Sequence, residues 1–331
     1  MAYPFGLKMN YLRLKTTNPY YNLALEEYLL YNSNEDIFMI WQNAPTVVIG
    51  KNQNAYAEVY VDRAKEKNVF ISRRITGGGA VYHDLGNVNY TFITSDTKAK
   101  ALDYEYFTRP IILALNKLGL SCELSGRNDL LCEGKKFSGN AQYASNGRIL
   151  HHGTLLFDTS FDDMSDVLRV DKEKLECNSV KSHKSRVVNL KSLLEKDISL
   201  GEFIGAIEEY VLNDMGAEAA QIDENETILK LFERNQSDEW IFSSKRYLTN
   251  YKLSRRKKFP FGVVNAEIKL HRDIIEDIVI SGDFFGVADI SELECSLIGK
   301  SIDRIEKTDI SRYIDKMSDT EFISFIRNGQ L

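Results

Sequence analysis

The segment richest in chemistry runs Arg73-Arg74-Ile75-Thr76-Gly77-Gly78-Gly79-Ala80-Val81-Tyr82-His83-Asp84. Three consecutive glycines follow a predicted strand that carries two arginines. Glycine lets a backbone approach a ligand closely. Successive exposed N–H groups form a concavity suited to anions. The arginine fork adds fixed charge with the geometry that phosphate and carboxylate take. Together they point to a phosphate or acyl-phosphate site. The competing reading is a plain glycine turn beside a solvated arginine pair. The run is not a Walker loop, because no Gly-Lys-Ser/Thr follows, and it lacks the GxGxxG spacing of a dinucleotide fold.

A second segment joins Ser125-Gly126-Arg127-Asn128-Asp129 to Gly134-Lys135-Lys136-Phe137-Ser138-Gly139-Asn140-Ala141. A lysine held on a strand beside glycine backbone can present positive charge to a reacting anion. Asp129 is a carboxylate of the type that holds Mg²⁺ next to substrate phosphates, or else a turn residue. In an extended segment only one of Lys135 and Lys136 points inward, and Lys136 shares a face with Ser138. A third segment, His151-His152-Gly153-Thr154, places adjacent histidines on opposite faces of a strand. Zinc is not expected, since none of the five histidines has ligand spacing. A fourth, Lys181-Ser182-His183-Lys184-Ser185-Arg186, is a basic loop, read either as a lid over an anion or as a connector.

Several elements must position these residues. Residues 8–14 alternate like a strand, and Asn18-Pro19 reads as an N-cap followed by proline at the first helical position. The runs Ile37–Trp41 and Thr46–Ile49 read as paired strands. Further strands are expected at Val69–Ile75, Val88–Thr94 and Arg148–Phe157, with a hairpin around Glu133-Gly134. A helix ends at Gly119, and capping boxes open others at Ser199 and Ser318. The basic run Arg255-Arg256-Lys257-Lys258 marks a boundary region and reads as a solvated linker. The expected organisation is a catalytic domain over residues 1–245 and a small α+β domain over 246–331.

The 331 residues carry a net charge of -6, which argues against a dedicated nucleic-acid binder. No stretch approaches the ~18 apolar residues of a spanning helix, and Met1–Asn10 lacks a signal layout. No membrane is therefore expected, and the cytoplasm is the default compartment. The four cysteines, Cys122, Cys132, Cys177 and Cys295, form no CxxC and no disulfide framework.

In order and spacing, five motifs resemble the lipoate–protein ligase A family. They are residues 73–87, Gly126–Leu130, Lys136–Ala141, His151–Leu156 and Ser185–Leu190. Residues 7–245 carry the resemblance strongly, and 246–331 look like the family's C-terminal accessory domain. The resemblance implies the biotin/lipoate ligase catalytic fold, an α+β architecture on mixed sheets. It implies that lipoate and ATP give lipoyl-AMP and pyrophosphate. The lipoyl group then passes to a lysine of an acceptor domain, either on the E2 subunit of a 2-oxoacid dehydrogenase or on the glycine-cleavage H protein.

By the same resemblance, Lys136 contacts both the acyl group and the phosphate. Arg74, Gly79, Ala80, Val81 and Tyr82 hold the nucleotide, and Asp129 is the magnesium candidate. The lipoate slot draws on Gly78, Gly79, His83, His152 and Trp41, with Val48 and Gly50–Gln53 nearby. The basic run at 255–258 is a candidate dock for an acidic acceptor. One rival is an octanoyl or lipoyl transferase on the same fold, which needs a cysteine nucleophile; Cys132 lies close enough to be considered. A biotin protein ligase and a non-catalytic adenylate binder are further alternatives.

Overall fold

A computed structural model describes residues 9–95, 102–126, 128–169, 187–242, 251 and 253–328. The chain divides into two compact units. One comprises Met1–Val47, Tyr60–Ser72 and Tyr82–Gln236; the other comprises Val48–Val59, Arg73–Val81 and Ser237–Leu331.

The described elements begin with β1 (Met9–Arg13), α1 (Pro19–Asn32), β2 (Asp36–Trp41), β3 (Thr46–Ile49), α2 (Ala55–Glu58) and α3 (Val61–Glu66). Next come β4 (Phe70–Arg73), β5 (Val81–His83), β6 (Asn87–Ser95), α4 (Tyr104–Lys117), β7 (Cys122–Ser125) and β8 (Asp129–Cys132). The long strands β9 (Lys135–Ser145) and β10 (Arg148–Leu156) precede α5 (Phe161–Val167), α6 (Leu200–Glu209), β11 (Glu218–Ala219), α7 (Glu226–Gln236) and α8 (Asp238–Phe242). The last elements are β12 (Leu253–Phe259), β13 (Gly262–His271), β14 (Ile274–Gly282), α9 (Ile290–Leu297) and α10 (Asp319–Asn328).

The first unit is built on an eight-stranded sheet in the order β11-β1-β2-β6-β10-β9-β8-β7. It is mixed: β1 pairs with β2 in parallel, whereas β2–β6 and β6–β10 are antiparallel. The Asn18 side chain caps α1, accepting from the N–H groups of Tyr20 and Tyr21 at 3.0 and 3.3 Å. That satisfies donors the first turn would otherwise leave unpaired. Phe38, Phe92, Phe107, Phe137, Phe157 and Phe203 are completely buried and share one core. Each contributes roughly 1.5–3 kcal/mol of burial.

β2 and β3 do not pair with each other, contrary to the expectation from sequence. Both edges of β2 are occupied, by β1 and β6, so it has none to offer β3. β3 instead lies between β4 and β5 in a separate three-stranded sheet.

The second unit contains the sheet β12-β13-β14 and its own core, including Val264, Ile280, Phe284, Leu293, Phe322 and Phe325. The basic run Arg255–Lys258 is not a linker; it lies inside edge strand β12. Ser254, Arg256 and Lys258 are exposed while Arg255 and Lys257 are half-buried. The Lys257 ammonium sits 5.2 Å from the Phe259 ring centroid. Lysine and arginine stems cover apolar surface while the charges stay wet, which also blunts the open strand edge.

Candidate active site

Within the first unit, β8 and β9 form a hairpin whose two-residue turn is Glu133-Gly134, both at positive φ. Leu130 opposes Ser138, but Leu131 opposes Lys136, so the ladder carries an extra residue at Phe137. Such a bulge breaks the alternation of faces. Lys136 and Ser138 therefore follow neighbouring residues of β8 that point to opposite faces, and the shared face expected for them is not formed. Lys136 Nζ lies 2.7 Å from Asp129 Oδ1, with the two side chains 39% and 37% exposed. The Lys136 carbonyl accepts from the Val188 N–H at 2.9 Å, which fixes the other edge of the strand there. Residues 181–186 of the basic loop lie outside the described residues, as do Arg127 and Cys177.

A second group in this unit is buried. Trp41 and His83 meet edge to face at 6.1 Å between centroids. Trp41 Nε1 donates to Thr91 Oγ1 at 2.9 Å, and the Thr91 hydroxyl donates to the Glu26 carboxylate. His152 Nδ1 stands 3.1 Å from the same carboxylate. His83 Nδ1 faces Asn43 Nδ2 at 3.1 Å; the amide nitrogen is a donor, so that ring nitrogen accepts. Trp41 and His152 thus share one hydrogen-bond network through Thr91 and Glu26, and His83, bonded to Asn43, meets it at the Trp41 ring. Those three connecting residues were missed in the sequence, where a buried acid on an apolar helix looks like any surface glutamate. Tyr82 is buried, and burial pushes its hydroxyl up to about 12.

Within the second unit, the Arg73 guanidinium is directed at backbone carbonyls and that of Arg74 at backbone carbonyls and the Thr76 hydroxyl. Arg73 donates to the carbonyls of Gly50, Lys51, Gln53, Trp240 and Ile241. Arg74 donates to Thr76 Oγ1 at 2.8 Å, to the Val48 carbonyl at 3.1 Å, and to the carbonyls of Gly77 and Gly79 at 2.8 Å each. Arg74 therefore shapes the triglycine loop and places a buried positive charge beneath it. Gly78 has φ +91°, and a Cβ on Gly50 would lie 2.1 Å from the Gly78 carbonyl oxygen, so neither position admits a side chain. The Gly78 N–H donates to the Phe284 carbonyl at 3.2 Å. Gly79 is exposed, and Ala80 and Val81 are half-buried.

Cys132 is almost fully buried and faces Cys122 across β7 and β8. Burial raises the Cys132 thiol above its ordinary range. A nucleophilic cysteine needs the reverse, a pKa lowered by nearby positive charge and access to substrate.

The sequence pattern of the lipoyl protein ligase A/B catalytic domain matches residues 18–212, and that of the bacterial lipoate protein ligase C-terminus matches residues 249–326. The lipoate–protein ligase LplJ of Bacillus subtilis is 37% identical over 323 residues, spanning 93% of this chain and 97% of the relative. Lipoate–protein ligase 1 of Staphylococcus aureus is 36% identical over 286 residues, spanning 86% and 87% of the two chains. Among solved structures, LipL1 of P. falciparum in complex with lipoate superposes with a TM-score of 0.76 at 27% identity, covering 96% of this chain and 98% of the other. A lipoate–protein ligase A bound with ATP superposes at 0.59 with 26% identity, covering 71% and 99%. Sequence and architecture agree, and the chain belongs to the lipoate–protein ligase family.

Proposed function

We propose that this chain is an ATP-dependent lipoate–protein ligase, which activates lipoate as lipoyl-AMP and transfers the lipoyl group to a lysine of an acceptor domain. The observation that carries the reading is Lys136 Nζ beside Asp129 Oδ1 on a hairpin inside the family's catalytic segment. Relatives described with lipoate and with ATP support it. Residues 1–245 would form the catalytic part and 246–331 the accessory part, a division that the family matches at 18–212 and 249–326 support.

In the first step a lipoate carboxylate oxygen attacks the α-phosphorus and pyrophosphate leaves, so two anions must approach. Lys136 offsets that repulsion where charge builds up. Its partly exposed pairing with Asp129 is weak in water, so exchanging the carboxylate for substrate oxygens costs little. Arg74 and the backbone of Gly79, Ala80, Val81 and Tyr82 hold the nucleotide. Trp41, His83 and His152, with Gly78 and Gly79, form the slot for the acid.

Asp129 is the residue that would hold a Mg²⁺ ion accompanying ATP. Among the described residues no group of three or more His, Cys, Asp or Glu could cage a metal. The lone Asp129 carboxylate suits an ion that takes one or two carboxylates and otherwise phosphate oxygens. Bound there, the ion would neutralise phosphate charge.

The acceptors we assign are lipoyl domains of 2-oxoacid dehydrogenase E2 subunits and the glycine-cleavage H protein. An archaeal bipartite ligase described together with its E2 lipoyl domain supports the first. Among the described residues no helix is long and apolar enough to cross a membrane, in keeping with the cytoplasm as place of action. The buried, up-shifted Cys132 thiol speaks against the cysteine-transferase alternative. The test is intact-mass spectrometry of an unmodified lipoyl domain incubated with this protein, lipoate, Mg²⁺ and ATP. A lipoyl adduct that forms only with ATP supports the ligase; an adduct that forms equally without ATP overturns it.

A further inference from the structure

The Asp129–Lys136 pair is held by a buried chain of amides whose polarity is set from both ends. At one end the Asn128 carbonyl, which can only accept, faces both the backbone N–H and the side-chain Nδ2 of Asn140, at 2.9 and 3.0 Å. Asn128 Nδ2 returns a bond to the Asn140 carbonyl at 2.8 Å. Asn140 must therefore turn its Nδ2 towards Asn128 and its Oδ1 inward. That oxygen accepts from the Tyr90 hydroxyl and faces His151 Nε2 at 3.3 Å. At the other end the Leu102 N–H, which can only donate, faces Gln142 Oε1 at 2.6 Å. Gln142 Nε2 must then donate, and it reaches His151 Nδ1 at 2.9 Å and the Asp103 carbonyl at 3.2 Å.

Both ends demand one tautomer of His151, neutral with its proton on Nε2. The ring is fully buried and stacked on Phe107 at 4.8 Å. Burial holds its pKa well below the ordinary value, which agrees with the neutral form. Gly153 leaves room for this arrangement: a Cβ there would lie 2.1 Å from Asn140 Oδ1.

We propose that Asn140 is a positioning residue for the adenylation step, setting through Asn128 where the Asp129 carboxylate stands against Lys136. The inference rests on the ligase reading above. Asn128 directly precedes Asp129, and Gly139, the neighbour of Asn140, opposes Asp129 in the ladder. Asp129 thus opposes Gly139 while the residue before it is tied to Asn140, and His151 keeps the Asn140 amide from rotating.

The experiment is lipoate-dependent ATP–pyrophosphate exchange by the full chain and by Asn140→Ala, Asn128→Ala and the double variant, each with a thermal unfolding curve. Asn140→Ser, which keeps a small hydroxyl in the buried site, is the second variant where Asn140→Ala does not fold; Asn128→Ala keeps the carbonyl that accepts from Asn140 and removes only the returning Nδ2 bond. The expected result is a fall in kcat of about tenfold or more in each Asn140 variant and a smaller fall in Asn128→Ala, since misplacing a reacting group by an ångström costs on that order. KM for lipoate should stay within about twofold, and the double variant should be no worse than the worse single, as expected of residues acting as a unit. An Asn140→Ala or Asn140→Ser kcat within about twofold of the parent overturns the inference, as does a double variant whose losses multiply. A parent protein without exchange overturns the ligase reading instead.

Discussion

Lys136 Nζ and Asp129 Oδ1 stand 2.7 Å apart on adjacent strands of one hairpin, yet both side chains remain more than a third exposed. Exposed pairs of this kind contribute only about 0–1 kcal/mol to stability. In the proposed first step the same lysine would supply positive charge to the two anions from the face it shares with Asp129. Lys136→Ala should therefore leave the unfolding midpoint within a few degrees while pyrophosphate exchange falls by about two to three orders of magnitude. Turnover at the parental rate by a stable variant would remove Lys136 from the mechanism.

The two arginines of the glycine segment should separate in their effects. Arg73 is fully engaged with five backbone carbonyls from residues 50–53 and 240–241. A lysine there cannot reproduce the planar fork, and carbonyls left without a donor cost about 1–3 kcal/mol each. Arg73→Lys should lower stability by roughly 3 kcal/mol in urea unfolding, with KM values unchanged in what remains folded. Arg74→Ala instead frees the Gly77 and Gly79 carbonyls and should raise KM for ATP about tenfold, with a smaller change for lipoate. Equal effects of both variants on ATP affinity would contradict this division.

Glu26 provides a third test. It accepts from Thr91, which in turn accepts from Trp41 Nε1, and it stands beside His152. Removing the buried carboxylate leaves all three without their common anchor. Glu26→Ala should raise KM for lipoate by about tenfold or more, with KM for ATP within about twofold, because a mispositioned pocket loses uniform binding energy. A variant with a parental KM for lipoate would show that Trp41 and His152 are held by packing alone.

Local rules made most of the scaffold legible. The Asn18-Pro19 cap, the Ser199 capping box and the Glu133-Gly134 turn each depend on residues a few positions apart, and each stands where the sequence places it. The failures are non-local. Nothing within Thr46–Ile49 says that β2 already has partners on both edges. The bulge at Phe137 is set by β8, not by β9's own pattern. Arg255–Lys258 is legible as charge, but its place in an edge strand depends on Phe259 and the neighbouring β13. In the site, the chemistry-bearing side chains were visible by type, whereas their connectors were not. Asn43, Thr91 and Asn140 acquire a role only when a partner 12 to 50 residues away is brought within hydrogen-bond distance.

His151 should also leave a mark on stability as pH changes. In the folded chain burial keeps the ring neutral and its pKa well below the usual value. In the unfolded chain it binds a proton below about pH 6.5. Below that point the unfolded state holds more protons than the folded one, so stability rises with pH and falls as pH drops. The contribution of neutral His151 is complete above pH ~6.5 and is lost progressively below it, by at most about 1.4 kcal/mol per pH unit. His151→Phe keeps a ring against Phe107 but has no proton to gain. The variant should be less stable at pH 8, because Asn140 Oδ1 and Gln142 Nε2 lose a partner, and its stability should decline less steeply towards pH 5. Urea unfolding of both proteins at several pH values measures the difference directly. Parallel curves across that range would mean that the buried ring already takes up a proton in the folded state.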